Sequence, residues 1–289
     1  MKHALTIDVE DYYQVAAFKD QIAPSDWSSQ VSRVERNTHK FLEITEEHSV
    51  TATFFFLGWV ADQFPNMVRE VVAAGHEVAC HGYSHQLIYE QSQETFKQET
   101  LRSKALLEDQ AQTSVAGYRA ASYSVTPKSL WALDIISEAG FEYDSSIYPI
   151  RHDNYGLQGG PHTPYKIELR NGACLVEFPI TTAPIASLNI PVGGGGYFRL
   201  LPYFLTRWFL QRRQKFVDAP FVFYLHPWEL DPDQPRIEGA SPKSRFRHYL
   251  NLDKVEARLD ALLTDFEFDT MHHVLQTCSD LPTHRYQDA

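Results

Sequence analysis

Along this chain, short apolar runs alternate with longer stretches whose apolar residues return every three or four positions. Ala4–Asp8 is the first short run and predicts a strand; Ser29–His48, mostly polar with Val31, Val34, Phe41, Leu42 and Thr45 at helical spacing, predicts a helix. Thr51–Leu57 is apolar without a break, as in a strand covered on both faces. A helix follows, with Pro65 in its first turn, Met67, Val68, Val71 and Val72 on one face and Gly75 as its stop. Val78 and Cys80 alternate through a third strand. A polar helix is expected from about Gln93 to Asp109, a strand ending near Tyr118, and a helix opened by Pro127 and closed by Gly140. Val176–Ile180 and Phe221–Leu225 are further apolar strands. Asp253 is placed to cap a helix bearing Val255, Leu259, Leu262, Leu263 and Phe266, and a last strand falls within Phe266–Met271.

Alternating strands and helices with uninterrupted apolar strands predict an α/β chain with a parallel sheet. About seven strands in 289 residues favour a (β/α) barrel over a doubly wound open sheet. In such a barrel the reactive residues gather at the C-terminal ends of the strands. Asp8, His81, Arg119 and His226 all stand just past such an end. Tyr148–Pro164 and the proline-rich Asp231–Lys243 read as long loops inside one unit, because strands lie on both sides of each. Residues 1–289 are therefore expected to form a single domain, with an extension from about 230 packed on the barrel.

The strongest chemical signal lies in Gly75-His76-Glu77-Val78-Ala79-Cys80-His81-Gly82-Tyr83-Ser84-His85. Gly82 argues for a loop, on which His81 and His85 can both turn toward one metal ion. Asp8-Val9-Glu10-Asp11, ending the first strand, can supply a carboxylate. Two imidazoles and one carboxylate leave positions open, as at a catalytic centre. One acid of the cluster can then hold the ion while another accepts a proton from water. Arg119 can pair with a carboxylate and hold it ionised. His226, at the end of the most hydrophobic late strand, can protonate a leaving group. Gly193-Gly194-Gly195-Gly196 lacks the sequel of a phosphate loop and reads as a mobile or closely approached loop over the substrate. Tyr123, Tyr148, Tyr197, Phe198 and Trp228 fall near the expected loops, where exposed rings can stack on sugars.

Composition narrows the partners. The net charge of −11 disfavours non-specific binding to nucleic acid or anionic lipid, and the run Arg207, Arg212, Arg213, Lys215 reads as the solvated side of a helix. Three widely spaced cysteines (Cys80, Cys174, Cys278) do not form a disulfide framework and point to a reducing compartment. There is no signal-peptide pattern and no apolar stretch of about 18 residues, so a cytoplasmic protein without an integral membrane segment is expected.

Taken in order, these segments resemble the polysaccharide deacetylase family with the NodB-homology domain, the family four carbohydrate esterases. Thr6-Ile7-Asp8-Val9-Glu10-Asp11, His81-x-x-x-His85, Arg119-Ala120-Ala121, Asp144-Ser145-Ser146 and Leu225-His226-Pro227 are similar to its five motifs. The Asp-Val-Glu-Asp start, the Gly-Gly-Gly-Tyr-Phe-Arg stretch and the C-terminal tail resemble the exosortase-locus subgroup tied to exopolysaccharide production. The resemblance implies a distorted (β/α) barrel that removes N-acetyl groups from hexosamines of an acetylated glycan. It implies a divalent metal, commonly zinc, with cobalt, nickel or manganese as alternatives. Asp8 is then the base, His81 and His85 are ligands, Arg119 orients Asp8, His226 is the general acid, and Asp144 supports the acid side. The second carboxylate is Glu10, with Asp11 as the alternative. Tyr123, Tyr197 and Trp228 are expected to contact substrate. The family's third motif usually has Pro where Ala121 stands. A cyclic amide hydrolase of the allantoinase kind, or an inactive glycan-binding protein, are the rival readings on the same fold.

Overall fold

The computed structural model describes residues 1–150, 156–185 and 188–286. Its strands and helices follow the expected alternation: β1 (His3–Val9), α1 (Val34–Glu47), β2 (Thr53–Phe56), α2 (Gly58–Gln63), α3 (Pro65–Ala73), β3 (Glu77–Cys80), α4 (Gln93–Ala111), β4 (Gly117–Tyr118), α5 (Trp131–Glu138) and β5 (Tyr143–Asp144). The second half adds β6 (Tyr165–Glu168), β7 (Cys174–Glu177), the hairpin β8 (Thr182–Ile185) and β9 (Leu188–Pro191), α6 (Gly195–Leu200), α7 (Tyr203–Phe216) and β10 (Val222–Leu225). It ends with α8 (Pro242–Tyr249), α9 (Val255–Asp265), β11 (Phe268–Asp269), α10 (Met271–Gln276) and β12 (Thr283–His284).

Among the described residues the sheet has ten strands rather than about seven, ordered β10-β1-β2-β3-β4-β5-β7-β6-β12, with β11 also pairing β1. The surplus comes from β5 and β12, too short for a periodicity to register, and from β6, whose Tyr-Lys-Ile-Glu has no apolar run. Pairing is parallel except between β6 and β7. No ladder among these residues closes the sheet into a barrel. Phe178–Thr181 spans the gap instead. The amides of Phe178 and Ile180 donate to Asp144 and Ile147 carbonyls at 2.9 Å each. Thr181 then exchanges two hydroxyl bonds with the backbone of Val222, at 2.7 and 2.9 Å.

Alternation along the strands fixes what each face carries. Leu5, Ile7, Val9, Phe54, Phe56, Val78, Cys80, Phe223 and Leu225 join the larger core cluster. Ala4, Phe55, Ala79, Val222 and Tyr224 join a second cluster on the opposite face. Asp8, His81 and His226 share the parity of that second set, so they emerge together where the strands end.

Several boundaries differ from the sequence expectation. α1 starts at Val34, after a 3-10 turn over Pro24–Ser29. α5 starts at Trp131, because Ser129 Oγ engages Ser124 and Thr126 and holds the residues after Pro127 in a turn. Asp253 does not cap α9; it sits inside a 3-10 turn, Leu252–Lys254, with Lys254 as the cap. A short helix, α6, begins at Gly195 where a loop was expected. The Gly run is indeed closely approached: a Cβ on Gly194 would lie 1.9 Å from the Tyr224 carbonyl oxygen, at a φ of +126° that disfavours any side chain. Part of the expected loop Tyr148–Pro164 (151–155) lies outside the described residues.

Two buried histidines tie the starts of neighbouring strands together. His3 Nδ1 accepts from the Phe221 amide (3.2 Å) and His76 Nδ1 from the Ala52 amide (3.1 Å). Burial pushes His3 down to about 3 and His76 down to about 4. Both therefore bind protons more readily in the unfolded chain. Their contribution to stability is complete above about pH 6.5 and is lost as pH falls toward 4, with a slope of up to about 1.4 kcal/mol per pH unit for each. Urea unfolding should show falling midpoints across that window, while ring-nitrogen NMR should find both imidazoles still neutral at pH 5.

Candidate active site

Asp8 leaves β1 with its carboxylate facing two ways. Oδ1 accepts from Arg119 at 2.6 Å, and Oδ2 accepts from the Tyr123 hydroxyl at 3.4 Å. Arg119 is fully buried. It also donates to Thr6 Oγ1 (2.8 Å), the Ser145 carbonyl (3.2 Å) and Ser145 Oγ (3.0 Å), and lies over the Phe55 ring at 4.1 Å. Ser122 and Tyr123 both have left-handed backbone (φ +50° and +54°), a costly pair for non-glycine residues, and this sharp bend brings the Tyr123 ring into the site.

Glu10 follows through a tight turn, its amide bonded to the Asp8 carbonyl at 3.0 Å. His81 Nδ1 donates to the Arg119 carbonyl at 2.9 Å, which leaves Nε2 as the free donor atom of that ring. Burial pushes His81 down to about 4, so its lone pair is available. Gly82 (φ +75°) and His85 (φ +53°) fold the loop back, and His85 Nε2 comes to 2.7 Å from Glu10 Oε2. Burial alone would raise Glu10, yet the facing His85, with His226 and His81 behind it, holds its carboxyl well below the usual range. Glu10, His81 and His85 offer ligand atoms all within 4.8 Å of one another. Glu10 Oε2 and His85 Nδ1 are buried without a hydrogen bond. Glu10 Oε2 and the facing His85 Nε2, 2.7 Å apart, repel if both are bare, so a proton or a cation joins them, and the two nitrogens and one oxygen of the trio fit a divalent ion.

Asp11, the alternative ligand, does other work. Its Oδ2 accepts from Ser32 Oγ (2.7 Å) and from the amides of Arg33 (2.8 Å) and Val34 (3.1 Å), closing the N-terminus of α1 from outside the helix.

His226 is held by a residue the sequence reading missed. Glu229 Oε2 takes both the His226 amide (3.0 Å) and ring Nδ1 (2.9 Å), and Arg199 Nε holds the other oxygen at 2.6 Å. Burial would lower His226, but Glu229, then Glu10 and Asp8, push it up to about 9. Its Nε2 faces Asp8 Oδ2 at 4.0 Å and Glu10 Oε1 at 3.7 Å. Spacing from His226 to Glu229 was visible as a capping pair after Pro227; nothing local pointed to Arg199.

Two expectations need correction. Asp144 does not support the acid side. It follows Tyr143 on the strand and so faces the other way, where it meets Ser146 Oγ (2.5 Å) and the buried Glu177. Burial pushes Asp144 up to about 6 and Glu177 well above its ordinary value, a pair that holds one proton between them. Its motif serves Arg119 instead, through Ser145. Trp228 does not offer a face to sugars. Its indole N–H donates to Glu10 Oε1 (3.1 Å), and its ring is stacked between His226 (5.1 Å) and His248 (4.2 Å). Tyr197 is outside the inner cavity and lines the outer cleft.

The inner cavity, about 270 Å³, is lined by Asp8, Glu10, His81, His85, Tyr123 and His226 among others. It shares Ser122, Gly196, Tyr224 and Arg247 with an outer cleft of about 1010 Å³. Asp8 held by Arg119, a trio of side chains able to hold a metal ion, and His226 with its raised pKa thus face one cavity.

The chain carries a polysaccharide deacetylase domain of the NodB-like type. Residues 25–143 match the polysaccharide deacetylase family, and residues 145–276 match a domain of unknown function (DUF3473). The two matches meet inside one sheet, since β5, at the end of the first, pairs with β7 of the second. A peptidoglycan-N-acetylglucosamine deacetylase of Bacillus cereus is 32% identical over 81 residues (28% of each chain). A peptidoglycan deacetylase of Helicobacter pylori is 23% identical over 166 residues (57% of this chain and 52% of that one). The chain thus spans between about a quarter and half of the length of these curated relatives. Among solved structures, a Mycobacterium smegmatis protein classed as a polysaccharide deacetylase superposes with a TM-score of 0.61 at 17% identity, covering 99% of this chain and 95% of its own. PuuE allantoinase superposes at 0.60 with 13% identity, covering 94% and 88%. At these identities the likeness is one of fold.

Proposed function

We propose that this chain hydrolyses the N-acetyl amide of hexosamine residues in an exopolysaccharide or its precursor, and that it depends on a divalent ion at Glu10, His81 and His85. Zinc suits the donor set best; cobalt, nickel and manganese are alternatives. What supports the reading most is that His226 Nε2 lies within 4.0 Å of both Asp8 Oδ2 and Glu10 Oε1, all three residues lining one small cavity. When bound, the ion supplies Lewis acidity toward the amide oxygen and eases deprotonation of water.

The chain's own residues do the rest. Arg119 occupies one oxygen of Asp8 and leaves Oδ2 free to take the proton of the attacking water. The water oxygen bonds to the acetyl carbon, and the C–N bond breaks as His226 passes its Nε2 proton to the departing amine. Glu229 keeps a proton on Nδ1, so the ring that gives up one proton retains the other. Acetate and a free amino sugar leave. Tyr123 steadies Asp8 Oδ2, and Tyr197 stands on the outer cleft where the next sugars would lie. The three free cysteines, Cys174 among them exposed, support a reducing compartment for the reaction.

The zinc- or cobalt-loaded protein should release acetate from N-acetylhexosamine oligomers and leave allantoin intact; ring opening without acetate release would overturn the reading in favour of a cyclic amidase. Glu229→Gln should lower kcat by at least tenfold with KM little changed, because the imidazole loses its anionic anchor. Steady-state kinetics on the same oligomers checks this.

A further inference from the structure

Helix α7 wears its polarity inside out. Its inward side holds Thr206, Leu210 and Arg213, and Arg213 donates to the carbonyls of His162, Ala219 and Pro220. Its outward side shows Phe204, Trp208 and Phe216, exposed by 68%, 50% and 64%. Positions 204, 207, 208, 211, 212, 215 and 216 share one face at helical spacing, so Arg207, Arg212 and Lys215 are interleaved with the three rings. The Arg212 guanidinium lies 5.7 Å from the Trp208 ring and 4.9 Å from that of Phe216. The helix contains no acid. Arg207 pairs with Asp265 at 3.1 Å, while Arg212 and Lys215 have no acidic partner among the described residues. Leu200 (49% exposed), three residues before α7, and Phe246 (60%) stand on the outer cleft beside Lys243 and Arg247.

We infer that the outer face of α7, continued by Leu200 and Phe246 at the cleft, is a membrane-contact surface that seats the chain on an anionic bilayer. A soluble helix normally turns its apolar stripe inward and its charges outward; rings left in water and flanked by cations suit the boundary between headgroups and acyl chains. Fourteen residues make a helix about 21 Å long, too short to cross a hydrocarbon core of about 30 Å but long enough to lie in the interface. No helix among the described residues is long and apolar enough to cross a membrane. A second copy fits poorly, because a two-fold pairing of this face would set Arg212 and Lys215 against their own kind. The chain's net charge of −11 argues against anionic lipid for the whole surface, but this face carries the opposite sign.

Co-sedimentation of the full chain with vesicles tests the inference. The protein should partition at least tenfold more onto vesicles of phosphatidylglycerol and cardiolipin than onto phosphatidylcholine. Phe204→Glu with Trp208→Glu should cut that partition at least tenfold. Arg212→Glu with Lys215→Glu should cut it severalfold and flatten its salt dependence, with circular dichroism confirming the fold of each variant. Wild-type protein that stays in the supernatant with anionic vesicles overturns the inference, as does binding that both variants retain. A wild-type dimer that the Trp208 variant converts to monomer, without vesicle binding, would instead make this face a contact between copies.

Discussion

Asp8→Asn is expected to cut acetate release by roughly two to four orders of magnitude while metal content stays at the wild-type level. The amide keeps an oxygen for Arg119 and keeps the shape of the side chain, so the loss falls on proton removal. It also leaves the Arg119 guanidinium, fully buried, without its counter-charge. Breaking one side of such a buried pair destabilises by about 3–5 kcal/mol, so thermal unfolding must accompany the kinetics. A variant that is folded at the assay temperature, retains its metal and is still inactive identifies Asp8 as the base. One that turns over acetylated oligomers at near wild-type rate removes Asp8 from that role.

Stripping the metal should abolish turnover, and His81→Ala should make the loss permanent. The ring is held by a backbone carbonyl on one side and offers only Nε2 on the other, so no neighbouring atom replaces it. The unmodified apoprotein should regain activity with one equivalent of zinc or cobalt per chain. Saturating metal at about a thousand times its dissociation constant should stabilise the fold by about 4 kcal/mol, seen as a rise in Tm that His81→Ala and Glu10→Ala both lose. Asp11→Ala separates the two acids. It should keep metal binding and the metal-dependent rise in Tm, yet lower the baseline stability, because its carboxylate serves the first amides of α1 rather than an ion. Elemental analysis and calorimetry of the three variants decide between these outcomes.

Much of the site is legible before folding because a strand's two-residue period is a local property. Ile7 is apolar and Asp8 acidic, Cys80 apolar and His81 basic, Leu225 apolar and His226 basic; each pair marks a strand whose last inward position carries chemistry. The polar helix α4 and the Pro65 start of α3 were equally plain, since caps and stops act within a few residues. The pattern could not yield β6, which has no apolar run, or β12, two residues long and held by a partner over a hundred residues distant. Nor could it yield the Phe178–Thr181 bridge, where one threonine hydroxyl stands in for a strand ladder.

Sequence alone thus singled out the residues that the fold gathers at one cavity: the acids at the end of β1, the two imidazoles after β3, Arg119 and His226. Only the tertiary structure decided what each acid and ring does. Glu10 and Asp11 are adjacent, and the turn after β1 sends one to the imidazoles and the other to α1. Trp228 meets Glu10 across 218 residues and stacks on His248, so a side chain that looked like a sugar platform became a support for Glu10. Asp144 and Arg213 were assigned by neighbourhood in the chain and reassigned by neighbourhood in space, Arg213 turning inward while Arg207, Arg212 and Lys215 stay on the solvated side as expected. The physical reason is the same in each case: periodicity fixes which way a side chain points relative to its own backbone, but its partner is set by whichever distant segment packs against it.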